Sequence, residues 1–321
     1  MIRPRLPKIA SGTRLTTNLV NDIINRTEYA ADLLRQYKLV AGTEMYVEPH
    51  YDGTRVSYLQ PVGGGATPAQ PISPAYRVVG SATVAGVDRG FLYNGSTFTD
   101  IIYPSSSGTS AHGIDGSNIV GQTIVAGVRR GFLYDGLTFT DIIYPGATET
   151  AAFGIDNSNI VGQAIVGGTV KGFIYNGSTF TDIIYPGATL TQAYGINGSN
   201  IVGFVQFSSG FQRGFLYDGL TFTDIIYPGA TETAAFGIDN SNIVGYYVAG
   251  GGRRAFIYNG SSFTTFIAPS GTEAIAYGIS GSNIVGSSLL IGVAKSFLYN
   301  GSTFTDIIYP GASGTAAYGI G

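Results

Sequence analysis

The residues able to do chemistry here are few and regularly spaced. Arg89, Arg130, Lys171, Arg213, Arg254 and Lys295 each stand two positions before a phenylalanine, at Phe91, Phe132, Phe173, Phe215, Phe256 and Phe297. Six cations on one ring could hold an anionic polymer. Eleven residues after five of them, however, come Asp100, Asp141, Asp182, Asp224 and Asp306. A hairpin counted outward from the intervening Asn-Gly or Asp-Gly sets each aspartate opposite its cation. Cross-strand ion pairs of this kind contribute about 0.2–1 kcal/mol each, which reads the column as structural. Arg254 departs from it, because Thr265 takes the aspartate's place and Arg253 precedes it.

Other catalytic chemistry has little support. The sequence has two histidines and no cysteine. His50 lies outside the repeated region, and His112 takes a place given elsewhere to Phe153, Tyr194, Phe236, Tyr277 and Tyr318, so it reads as a substitute aromatic. Asp115, Asp156 and Asp239 fall at a tight turn, where aspartate commonly bonds its own backbone. There is no zinc-ligand cluster, nucleophile elbow or phosphate-cradling loop. The expectation is a non-enzymatic protein with no catalytic residue, metal or cofactor.

Composition agrees. The 321 residues include 48 Gly, 22 Tyr and 18 Phe, with 12% charged residues and a formal charge of −3. Neither this balance nor its distribution gives a nucleic-acid footprint. No run of eighteen apolar residues could span a bilayer, and the start, Met-Ile-Arg-Pro-Arg-Leu-Pro, lacks the apolar core of a secretory signal.

The elements that position these residues repeat. The six phenylalanines are 41, 41, 42, 41 and 41 residues apart, and residues 130–162 recur unchanged as 213–245. Within 151–187, four short β-branched and aromatic runs alternate with Gly, Asn, Asp, Ser or Pro, which marks four strands. Asn-Gly or Asp-Gly between the third and fourth predicts a tight type I′ hairpin. The first unit lacks a first strand, and the chain ends on an orphan one, Ala316-Ala317-Tyr318-Gly319-Ile320. The pattern predicts an all-β, six-bladed β-propeller of 41-residue four-stranded repeats over residues 75–321, closed by the C-terminal strand; an open β-solenoid is the rival.

The alternation of A-x-G-I-[ND], S-N-I-V-G and an aromatic hairpin resembles the HAF repeat of β-propeller-like proteins. The tripeptide that names that family, His-Ala-Phe, is here Arg-Gly-Phe, Lys-Gly-Phe, Arg-Ala-Phe or Lys-Ser-Phe. The resemblance implies a fold and no catalytic residues.

Residues 1–62 read as an N-terminal stem: a Pro-punctuated basic arm, an α-helix over about 17–39 and a small hairpin around Asp52-Gly53. Residues 63–74 are a Gly/Pro linker. Arm, oligomerising helix, linker and repeat domain together resemble a tailed-bacteriophage fibre protein. That resemblance implies a virion location in tail or capsid, contact with other virion proteins through residues 1–62, a homotrimer, and a propeller that meets the host cell surface. The segment between second and third strands is the variable part of the repeat, and variable loops on a rigid scaffold are where binding surfaces are built. Phe204, Phe207, Phe211, Gln212, Tyr246, Tyr247, Arg253 and Arg254 are the candidate contacts to a cell-surface glycan, since aromatic faces stack on sugars and guanidinium groups hold acidic ones. The alternatives are a decoration protein whose propeller packs on virion proteins, and a secreted propeller that binds or hydrolyses glycans.

Overall fold

A computed structural model describes residues 76–267, 273–290 and 293–321. The expected stem, helix, hairpin and linker of residues 1–74 lie outside the described residues. Every regular element among the described residues is a β-strand, and the fold is an all-β propeller.

The third repeat shows how a unit is made. Its inner strand Glu149–Asp156 pairs with Asn159–Val166, which pairs with Thr169–Tyr175, which pairs with the short outer strand Phe180–Ile183, all antiparallel. At the chain end Gly314–Ile320 pairs with Val78–Val84, so the C-terminal strand completes the first unit.

Sheet count and turn chemistry both differ from expectation. Four repeats form separate four-stranded sheets, whereas the fourth and fifth share one eight-stranded sheet. The link is a single parallel pair, Gln212 with Glu232. It forms where the loop 207–211 carries the one extra residue of the array and brings Gln212 against the next inner strand.

The third and fourth strands are not joined by a two-residue type I′ turn. Tyr134 pairs with Phe139, leaving a four-residue connection. In it the Asp135 carboxylate accepts from the Leu137 and Thr138 amides at 2.8 and 2.7 Å, and Gly136 has φ 97°. The primed geometry, with positive φ at both central residues, lies instead between second and third strands, at Ala85-Gly86, Ala126-Gly127, Gly167-Gly168 and Gly250-Gly251.

The shifted register places Phe132, not Arg130, opposite Asp141. Arg130 reaches Asp141 diagonally at 3.4 Å. Equivalent contacts join Arg89 to Asp100 at 3.5 Å, Lys171 to Asp182 at 3.2 Å, Arg213 to Asp224 at 3.0 Å and Lys295 to Asp306 at 3.7 Å. A diagonal neighbour across a ladder lies within reach of long side chains.

The core is between sheets. Each repeated phenylalanine is fully buried, and one cluster joins Val120 and Ile142 of the second repeat to Ala152, Ile160 and Phe173 of the third. Burying such a side chain contributes about 1.5–3 kcal/mol. Hydrogen bonds also cross between repeats. The hydroxyls of Tyr103 and Tyr185 donate to Asp141 and Asp224 of the following repeat at 2.6 and 2.7 Å. At the turns between first and second strands the expectation needs correcting. Asp115, Asp156 and Asp239 accept from the next repeat's Asn157, Gly198 and Gly281 backbone amides at 2.6, 2.5 and 2.6 Å, rather than from the backbone of their own turn; within it Asp156 and Asp239 accept from the Asn157 and Asn240 side chains at 3.0 and 2.9 Å.

Candidate functional site: an aromatic-ringed axial cavity

The inner strand of every repeat carries a β-bulge at one residue. In the second repeat the register breaks between Ala111 and Gly113, which isolates His112; in the third, fourth and fifth it isolates Phe153, Tyr194 and Phe236. Tyr277 and Tyr318 occupy the same break in the last inner strand and the closing strand. A bulged residue is re-aimed out of the ladder's alternation. Here the re-aimed side chains meet around the axis.

They close a ring. Centroid distances are 5.2 Å for His112 and Phe153, 4.5 Å for Phe153 and Tyr194, 4.8 Å for Tyr194 and Phe236, 5.4 Å for Phe236 and Tyr277, 5.3 Å for Tyr277 and Tyr318, and 4.6 Å for Tyr318 and His112. These are edge-to-face and offset geometries that aromatic pairs prefer. The glycine after each aromatic explains the tight circle. A Cβ at Gly154 would sit 2.5 Å from the Tyr194 carbonyl oxygen, and one at Gly195 2.6 Å from that of Phe236.

A cavity of about 470 Å³ follows the axis, and the aromatic ring lines it. Beside the ring one position per repeat varies, the residue after the V-G of the second strand. That residue is Gln122 in the second repeat and Gln163 in the third, both in the cavity wall. It is Phe204 in the fourth, stacked 5.8 Å from Tyr194, and Tyr246 in the fifth, stacked 5.8 Å from Phe236. Serines stand there in the last and first repeats, Ser287 and Ser81. One side of the axis is therefore amide, one aromatic and one small and hydroxylic. Burial raises the pKa of Tyr194, Tyr277 and Tyr318, so these phenols stay neutral at physiological pH.

Charged groups border the cavity. Arg129 lines it and pairs with Glu149 at 3.0 Å. The Arg253 guanidinium lies 5.2 Å from the Tyr246 ring centroid, and the Tyr246 hydroxyl meets Gln212 Oε1 at 3.3 Å.

The eight candidate contacts do not form one surface. Phe204, Gln212, Tyr246 and Arg253 converge beside the axis, although Tyr246 is buried. Phe207 and Phe211 gather elsewhere, with the Arg213 guanidinium 5.0 and 5.4 Å from their centroids. Tyr247 is buried against Tyr227 at 3.6 Å between centroids, leaving Arg254 exposed near it. Strand alternation separates them: Tyr246 and Tyr247 are adjacent, so one faces the axis and the other the neighbouring sheet. Gln122, Gln163, Arg129 and the ring were missed as a site. The column of inner-strand aromatics was visible in the sequence, but the bulge that turns it inward has no sequence signal of its own.

No protein-family model matches the sequence, and no curated protein matches it. Solved structures do resemble the fold. The SapL1 lectin in complex with alpha methyl fucoside is 14% identical, with a TM-score of 0.53 over 75% of this chain and 95% of the other. A chain of a nidogen/laminin complex is 13% identical, with a TM-score of 0.51 over 76% and 97%. The shared class is the β-propeller.

Proposed function

We propose that the chain is a non-enzymatic, sugar-binding propeller of six blades whose ligand occupies the axial cavity. Counting six blades treats the joined fourth and fifth repeats as two, since a single residue pair links them. The observation that carries the reading is the asymmetric wall. A pyranose has apolar C–H faces and hydroxyl edges, and here aromatic rings and the amides of Gln122 and Gln163 enclose one space. Concave sites with mostly apolar walls and a few placed polar groups are the usual form of small-ligand pockets. Similarity to a lectin propeller crystallised with a fucoside supports a sugar as the ligand class.

The setting within this proposal is a virion fibre. Residues 1–62 would anchor it to the particle and assemble it as a trimer, and the propeller would meet a cell-surface glycan. Its support is the sequence order of arm, helix, hairpin and linker.

A protein-binding propeller is the second reading, favoured by exposed apolar residues. Ile102, Ile143, Ile184, Ile226 and Ile308 follow the outer strands, and Leu137 and Leu220 are 89% exposed.

A glycan array probed with the full chain, beside Gln163→Ala and Phe211→Ala variants, tests the first reading. The wild type and Phe211→Ala bind the same glycans, and Gln163→Ala binds them about tenfold more weakly, as expected for one lost hydrogen bond and its unpaired partner. Wild-type protein that binds no glycan but retains a protein partner would support the second reading.

A further inference from the structure

Two nitrogens of residues that line the axial cavity have no partner among the described residues, and neither has Arg213 Nε, outside it. His112 Nε2 and Arg129 Nε are both buried without a hydrogen bond, and both residues line the same wall of the second repeat. Buried polar atoms are ordinarily paired, so two orphans beside one cavity need a reason. His112 is the ring member that is neither Phe nor Tyr, and Arg129 stands where other repeats have Asp88, Val170, Gln212 and Ala294, the fifth repeat again having arginine, Arg253.

We propose that His112 and Arg129 form a polar subsite for the hydroxyls of a neutral sugar, fixing its orientation within the aromatic ring. This inference rests on the sugar-binding reading above and names the ligand's charge class. Arg129 Nε–H is a donor only. A hydroxyl both donates and accepts, so it satisfies His112 Nε2 in either tautomer and Arg129 Nε–H beside it. A carboxylate fits less well, because Glu149 already pairs with the Arg129 guanidinium at 3.0 Å. Burial, helped by the nearby charge of Arg129, holds the His112 imidazole down at about 3. The ring is therefore neutral, and it does not present a second cation to an acidic sugar.

The test uses His112→Phe and Arg129→Lys in the full chain. Phenylalanine already fills this ring position at Phe153 and Phe236, so His112→Phe suits the fold and removes a buried unpaired nitrogen. Arg129→Lys keeps a charge for Glu149 and removes Nε–H. Binding is measured by calorimetry with methyl fucoside, methyl galactoside and methyl mannoside, and with methyl glucuronide as the acidic probe. The expected result is wild-type binding to a neutral glycoside in preference to the glucuronide. Each variant weakens it about tenfold, while the unfolding midpoint of His112→Phe stays equal or rises. Neutral-glycoside binding within twofold of wild type in both variants would overturn the subsite and leave the sugar-binding reading standing. A preference for the glucuronide would overturn the charge class. Wild-type protein that binds none of these glycosides, nor any array glycan, would overturn both readings together.

Discussion

Tyr309 donates its hydroxyl proton to the carboxylate of Asp100, 209 residues earlier in the chain. The same aspartate pairs with Arg89, so one carboxylate ties the last repeat to both strands of the first hairpin. Tyr103, Tyr144 and Tyr185 reach Asp141, Asp182 and Asp224 in the same way. The hydrogen bond to the carboxylate is the largest cause raising the Tyr103, Tyr144, Tyr185 and Tyr309 pKa values. The clasp at Tyr309 differs from the others in joining the two ends of the array.

Tyr309→Phe is therefore expected to destabilise by about 0.5–1 kcal/mol, the partial exposure of the pair discounting a charged hydrogen bond. For a domain of this size that lowers the unfolding midpoint by about 1–4 °C, read by calorimetry. An unchanged midpoint would mean that the closing strand alone holds the ends.

The fifth repeat lacks this clasp on both sides. Thr265 stands where the aspartate belongs, and Ala268 where the tyrosine belongs. Thr265→Asp restores an acceptor near Arg254 and Tyr227. Its expected effect is a gain of about 0.2–1 kcal/mol in low salt that shrinks in high salt, measured by urea unfolding at two ionic strengths. A loss of stability would show that the Tyr227–Tyr247 stack, 3.6 Å between centroids, excludes the carboxylate.

The inner glycines admit the ring by letting backbones approach. Gly195→Ala would place a methyl 2.6 Å from the Phe236 carbonyl oxygen. Overpacking of this kind costs about 1–3 kcal/mol, so the variant should unfold several degrees earlier. It should also disturb the near-ultraviolet signal of the aromatic ring. A silent substitution would mean that the inner strands can move apart.

His112 gives the stability a defined pH dependence. Burial holds its folded pKa at about 3, below the ordinary histidine value of 6.5. Its stabilising contribution is then complete above pH 6.5 and is lost as the pH falls toward 3, because the unfolded chain takes up the proton first. Replacing it by phenylalanine removes that loss. Between about pH 7 and pH 5 the variant should gain about 2 kcal/mol relative to wild type. Parallel curves for the two proteins would mean that His112 titrates normally.

Repeat length, strand content and the aromatic columns were legible in the sequence because each rests on local periodicity. The turn register was not. Asn-Gly and Asp-Gly suggested a two-residue turn, but the side chains of Asn176 and Asp135 cap a four-residue connection, and dipeptide composition does not separate the two. The site was half legible. Phe204, Gln212, Tyr246 and Arg253 stand out by the variability and chemistry of their segment, but Tyr247 stands out on the same grounds and is buried against a neighbouring sheet. Gln122 and Gln163 looked like ordinary strand residues until the bulges set the axis beside them.

A crystal structure of the full chain with a glycan selected from the array tests the axial placement of the sugar most directly. The expected result is a sugar within hydrogen-bond distance of Gln122 or Gln163, with a C–H face against the aromatic ring. A sugar bound between repeats at the outer surface, with the axis unchanged, would contradict it.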